Sequence, residues 1–346
     1  MSNVFYMSLR TQYENLGDYL IAQATIDILS EHGDIVLDTR KVPQSYIQLF
    51  SFPDNSRLTD KGFLPNILEH RNKQWHYIVK PGGYSASVSI KQKNLTLLMA
   101  LYFWCSQKIF RTKIFKFPHS FKGQATLPDS IYHKLLDCNL CRDKETLEQY
   151  DRLKLPNLYL QPDLALYYYG KPSKFRFETQ SSRQNIAIAL RYDRLANEPE
   201  IAHCVAKLLL DKDVQTIKYV SQVTLDYDIN ASEAKRNNVP IVNYNITNAS
   251  LKAITETYAI SKYVISNRLH ALLLGMINGA IPIAIIDAKE DRKILSYLEI
   301  LGVPWVEKEN LCESDALANM LKNFSFPQYK SEHIQKCIRQ LLVNHA

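Results

Sequence analysis

The sequence has no run of eighteen or more apolar residues free of charge, so no segment is expected to cross a membrane. Its first residues, Met1-Ser2-Asn3-Val4-Phe5, lack the basic stretch and apolar run of a secretory leader, which points to the cytoplasm. Cysteine is scarce. Of the six, at 105, 138, 141, 204, 312 and 337, only Cys138 and Cys141 stand close together, and no second pair or suitably spaced histidine completes a ligand set. A structural zinc site takes about four ligands, so no metal is expected and the cysteines are read as buried free thiols. No block of like charge suggests a nucleic-acid-binding arm, although the formal net charge is +7. A weakly basic chain of this kind favours a phosphorylated substrate or an anionic membrane surface. Internal repeats and low-complexity segments are also missing.

What is present is apolar material for two cores. The chain has 346 residues, 46% hydrophobic and 22% charged, more than one domain of ordinary size holds. Short β-type runs alternate with helical ones, which predicts α/β domains with parallel sheets. Strands are expected near Val4–Leu9, Ile35–Asp38, Trp75–Val79, Lys113–Phe117, Leu136–Cys141 and Leu158–Leu160, with a long helix over Gly17–His32. After Tyr167-Tyr168-Tyr169 the composition turns polar, and a second cycle of strands and helices begins at Asn185. The expected division is therefore a Rossmann-like domain over 1–168, a linker at 169–184, a second Rossmann-like domain over 185–325 and a terminal helix over 326–346. Ligands in such folds sit beyond the carboxyl ends of the strands, so residues at strand ends carry most of the functional information.

The most informative segment runs from Tyr263 to Ile285. A buried strand ends at Ser266, Ser266 or Asn267 is placed to cap the next helix, and Arg268, Leu269 and His270 fall in its first turn. Helix N-termini favour anions and acidic residues, so two potential cations there need a reason. An arginine fork grips carboxylate or phosphate with two bonds, and an imidazole can hand over a proton near neutral pH. Asn15-Leu16-Gly17-Asp18 precedes the first long helix. Its Gly17 permits close backbone approach, and its Asp18 reads either as a helix cap or as a general base. Gly82-Gly83 follows a buried strand and reads as a tight turn or a phosphate loop.

Ser266-x-Arg268-Leu269-His270-Ala271, followed by an apolar helix, Gly279-x-x-Pro282 and an apolar strand, resembles the signature segment of the polysaccharide pyruvyl transferases. The Asn15-Leu16-Gly17-Asp18 turn resembles a second motif of that family. Weaker echoes lie in order between them: Pro81-Gly82-Gly83, Pro118-His119-Ser120, Arg142-Asp143 and Pro162-Asp163. The resemblance spans roughly residues 5 to 305. It departs at Pro81, where a glycine is usual, and at His119, where an amide is common. The lysine often found after the family's last parallel strand has two candidates, Lys289 and Lys293, and spacing prefers Lys293.

The resemblance implies a GT-B-like fold, two Rossmann-like domains whose parallel sheets face across a cleft. It implies pyruvate transfer from phosphoenolpyruvate, bound by the second domain, to a sugar held by the first, with no cofactor. Arg268 and Arg191 would clamp the donor, with Leu269, Ser266 and Lys293 beside them and Asn15, Gly17, Gly82 and Gly83 lining the site. His270 would be the general acid, and Asp18 or His119 the base. A GT-B glycosyltransferase using a nucleotide sugar is the alternative, and a non-catalytic anion-binding module a third reading. The run Leu95–Cys105, followed by Lys108, Arg111, Lys113 and Lys116, reads as a helix buried under the first sheet or as a peripheral membrane contact suited to a lipid-linked acceptor.

Overall fold

The apolar runs become parallel strands and the helical segments between them become crossovers. The computed structural model describes residues 2–155, 157–176, 183–193, 197–210, 214–328, 335–336 and 338–339. The chain divides into two units. One comprises Met1–Thr11, Ile21–Leu164 and Glu332–Ala346, the other Gln12–Leu20 and Ala165–Ser331. The Asn15–Asp18 turn, expected in the N-terminal domain, thus groups with the second unit. The expected linker and terminal helix fall partly on residues outside those described.

The first unit contains β1 (Asn3–Ser8), most of α1 (Leu16–Ser30), β2 (Asp34–Asp38), α2 (Gln44–Ile47), β3 (Ser56–Thr59), α3 (Phe63–Glu69) and β4 (Gln74–Val79). It continues with β5 (Gly82–Ser85), α4 (Ile90–Phe110), β6 (Lys113–Lys122), α5 (Leu127–Lys134), β7 (Cys138–Cys141), α6 (Lys144–Arg152) and β8 (Leu158–Leu160). Among the described residues these strands form one eight-stranded sheet in the order β3-β2-β1-β4-β6-β7-β8, with β5 added alongside β6. Sequence reading ends β6 at Phe117, but the strand runs to Lys122 because β5 supplies a partner for its second half, Gly82 opposite His119 through Ser85 opposite Lys122.

The second unit contains β9 (Asn185–Ala189), α7 (Glu198–Leu209), β10 (Thr216–Ser221), α8 (Tyr227–Arg236), β11 (Ile241–Asn243) and α9 (Asn248–Ala259). It ends with β12 (Ser261–Ser266), α10 (Leu269–Ile277), β13 (Ile281–Ala284), α11 (Arg292–Leu301) and α12 (Ser314–Lys322). Its sheet is parallel throughout, in the order β11-β10-β9-β12-β13. Helices cover both faces of such a sheet, which is why β9 is buried along its length and continuously apolar after Asn185 rather than alternating. Strand order reverses between β9 and β12. The carboxyl ends of these two strands are where a doubly wound sheet opens its ligand crevice.

Candidate functional site

β12 delivers Ser266 to that reversal point. The Ser266 hydroxyl donates to the Ala189 carbonyl (2.6 Å) and accepts from the Arg268 N–H (2.9 Å), stitching β12 to the end of β9. The Asn267 side chain accepts from the Arg191 N–H (3.0 Å) and donates to Glu198. Ser266 and Asn267 are thereby committed elsewhere and cap nothing. Arg268, with extended backbone, is the N-cap of α10 and makes no side-chain capping bond, which corrects its expected place in the first turn. His270 is the helix's second residue. From Ala271 to Ile277 the helix is buried, and it lies so close to β12 that a Cβ on Gly275 would come within 2.6 Å of Val264.

The Asn15 turn docks on the neighbouring strand end. Asn15 bridges Val223, the Leu16 N–H donates to Gln222 (3.0 Å), and the Thr224 N–H donates to Glu14 (3.1 Å). Asn15 organises the turn: its side-chain oxygen accepts from the Gly17 N–H (3.0 Å) and its amide donates to Asp18 (3.3 Å). Asp18, third in α1 and half-buried, also accepts from the Gln12 N–H (3.3 Å). Gly17 lies directly against the half-buried His270. A Cβ at position 17 would fall 2.1 Å from His270 Nδ1, so no side chain fits there while the imidazole keeps its place. Two segments separated by some 250 residues therefore meet at one point in one unit.

Both arginines are oriented by carboxylates. Arg268 donates through Nε and Nη2 to the two oxygens of Asp226, a side chain only 1% exposed. Arg191, two residues beyond β9, forks onto Asp193 at 2.8 and 2.6 Å. Burial opposes the charge on Arg191, but the Asp193 carboxylate outweighs it and raises the guanidinium pKa above its ordinary value. Asp226 also accepts from the Tyr192 N–H (3.1 Å), joining the loops after β9 and β10.

Sequence reading missed Asp226, whose only signal is an acid a few residues past a strand end. It also missed Lys308, which lies 3.3 Å from Asp287 and 4.0 Å from Glu198 at the edge of β13. Lys308 arrives through a bridge from Ile286 to Glu307, a long-range pairing that no spacing announces. Of the two lysines expected there, Lys289 is exposed in a turn, and the side chain of Lys293, in α11, lies outside the described residues. Leu269 is the first residue of α10 and partly exposed.

The first unit holds the remaining candidates. His119 does not reach a surface. It is fully buried, with Nε2 3.0 Å from the Tyr150 hydroxyl, which also meets His133 (2.9 Å). Burial, followed by Lys116 and His133, pushes its pKa well below the usual histidine value. The expected cleft-facing base is thus a neutral core residue. The other echoes form one knot: Arg142 donates to Ser120 (2.6 Å) and Asp163 (2.7 Å), and Ser120 donates to Asp143, the N-cap of α6. These residues hold the ends of β6, β7 and β8 together. Gly82 and Gly83 begin β5; a Cβ on either would meet open space, but Gly82 sits at φ +127°, a backbone conformation that glycine alone adopts readily. Cys138 and Cys141 are free and buried in β7. Among the described residues no group of three or more His, Cys, Asp or Glu is placed to hold a metal ion.

The second unit thus sets an arginine and a histidine at the start of α10, packed against a glycine turn. The chain resembles a UDP-GlcNAc 2-epimerase from Neisseria meningitidis (12% identity, 99% of this chain and 100% of that one, TM-score 0.59). It also resembles the UDP-GlcNAc 2-epimerase of Methanocaldococcus jannaschii (10% identity, 99% and 100%, TM-score 0.56). At such identities the likeness establishes the fold, which is GT-B-like. No curated protein matches the chain. The model of the family described as polysaccharide pyruvyl transferase matches residues 15–286, from the Asn15 turn to the end of the last strand pair. The chain belongs to the polysaccharide pyruvyl transferase family.

Proposed function

We propose that the protein moves pyruvate from phosphoenolpyruvate onto two hydroxyls of a sugar, in a cell-surface polysaccharide or its lipid-linked precursor, forming a cyclic ketal and releasing phosphate. The observation that carries this reading is the contact of Gly17 with His270 beside the Arg268–Asp226 pair. It joins an anion grip, a proton donor and a carboxylate-bearing turn within one unit. Asp226 engages Arg268 through Nε and Nη2 and leaves the Nη1 side of the fork for the donor's carboxylate or phosphate. Arg191 supplies the second clamp, and the N–H groups at the start of α10 add to both.

The reaction follows from these parts. His270 gives a proton to the vinyl CH2 of the donor, which becomes the methyl group and leaves C2 electrophilic. An acceptor hydroxyl adds to C2 and passes its proton to Asp18, since His119 is buried out of reach. The bond from C2 to the phosphate oxygen breaks, phosphate departs with that oxygen and takes up the proton held by Asp18, and the neighbouring hydroxyl closes the ketal and returns a proton to His270. Phosphoenolpyruvate is a cytoplasmic metabolite, so the reaction belongs there.

The test incubates wild type and His270→Asn with phosphoenolpyruvate and candidate glycans and follows phosphate release. Wild type should turn over, and the variant should lose roughly 10²–10⁴ in kcat while binding the donor within a few-fold. Turnover only with a nucleotide sugar, with nucleotide released, would make the protein a glycosyltransferase. Unchanged kcat in the variant would remove His270 as the acid.

A further inference from the structure

Between Leu95 and Cys105 helix α4 is apolar nearly all round, a pattern that ordinarily belongs to a helix enclosed on every side. Only one face is enclosed. Ala100, Phe103 and Ser106 are buried against the first unit, while Ile90, Leu98 and Leu101 on the opposite side are each more than half exposed and Trp104 is 47% exposed. The exposed face extends beyond the helix. The Ser87 N–H and hydroxyl donate to Asp129 at 3.1 and 2.7 Å, tying the loop that bears exposed Val88 to the start of α5, where Leu127 is exposed as well. A contiguous apolar surface of this kind calls for a partner.

Charge identifies the partner. From His70 to Pro128 the chain carries ten Lys and Arg and not one Asp or Glu, although the whole protein is only +7. Lys116 is buried, and Lys73 and Lys113 pair with Asp34 and Asp137, but Lys91 and Lys108 lie exposed near the two ends of α4. The first acid beyond the segment, Asp129, is itself buried and bonded to Ser87 and Thr126, so it does not offset the surface charge. A second copy of this chain would set lysine against lysine across such a face. An anionic lipid surface offers hydrocarbon to the leucines, an interfacial level suited to tryptophan and phosphate to the lysines.

We infer that α4 and the start of α5 dock the protein on a membrane rich in anionic phospholipid, with α4 lying in the plane of the interface. This rests on the first unit alone and is independent of the reaction proposed for the second. The test is flotation of the full chain with vesicles of phosphatidylcholine alone or mixed with phosphatidylglycerol, together with Trp104 emission. Wild type should float with the mixed vesicles, bind roughly tenfold or more weakly to phosphatidylcholine alone, and shift its emission to the blue, a shift absent in Trp104→Phe. Leu98→Ser with Leu101→Ser should lose flotation while keeping the wild-type melting temperature, since both side chains start exposed. Lys91→Glu with Lys108→Glu should lose the preference for phosphatidylglycerol. Wild type remaining in solution with both vesicles would overturn the inference. So would a dimer by sedimentation that the serine variant converts to monomer, because the face would then belong to a second copy.

Discussion

A methyl group on residue 17 has nowhere to go while His270 keeps its place, since the Cβ would lie 2.1 Å from Nδ1. Gly17→Ala should therefore push the imidazole out of position without unfolding the chain. Misplacement by an ångström costs on the order of 10² in rate, and steady-state kinetics beside an unchanged circular dichroism spectrum is the check. A variant as active as wild type would show that the contact does not set the ring's position. Arg268→Lys keeps the charge but loses the fork that meets Asp226. Donor affinity by calorimetry should fall roughly 10- to 100-fold, the scale of one charged hydrogen bond, and wild-type affinity would remove Arg268 from the clamp. The place of Arg268 and His270 at a helix start was legible in the sequence, and cations there contradict the helix dipole, which is what singles them out as candidates. His119 was misread for a physical reason: accessibility is set by partners, and Tyr150 and His133 reach it from other elements of the core.

At the scale of elements, parallel strands announced themselves by continuous apolar runs, and their boundaries depended on neighbours. The second half of β6 exists because β5 pairs with it, and the Gly82-Gly83 pair that suggests a loop is strand for the same reason. The middle of the first sheet also carries a pH liability. His76 in β4 is buried between Phe5 and Phe115, and burial, with Lys113 adding, pushes its pKa down to about 4. The unfolded chain takes up this proton near the ordinary value of 6.5, before the folded chain does. Stability is thus full above pH 6.5, falls as pH drops through the window, and stops falling below about 4, a loss of roughly 3 kcal/mol from this group. Thermal melts across that range should show a shallower fall for His76→Phe, which keeps the ring and removes the titration. An unchanged slope would assign the acid sensitivity to other groups.

On the scale of the whole chain, the two α/β halves were readable from alternation alone, whereas the place of Gln12–Leu20 was not. Nothing in the composition of that segment says that it bridges Val223 and packs with the second unit; the pairing spans some 200 residues and is decided by tertiary contact. Its consequence is that Asp18 and His270, the base and acid of the proposed reaction, belong to one unit. The central claim is that this site protonates the vinyl carbon of phosphoenolpyruvate and joins C2 to a sugar. The most direct measurement runs the reaction in D2O and weighs the product by mass spectrometry. The account predicts one deuterium in the methyl group of the ketal, with phosphate formed in step with product. A product methyl free of deuterium, or product formed without phosphate, would contradict it.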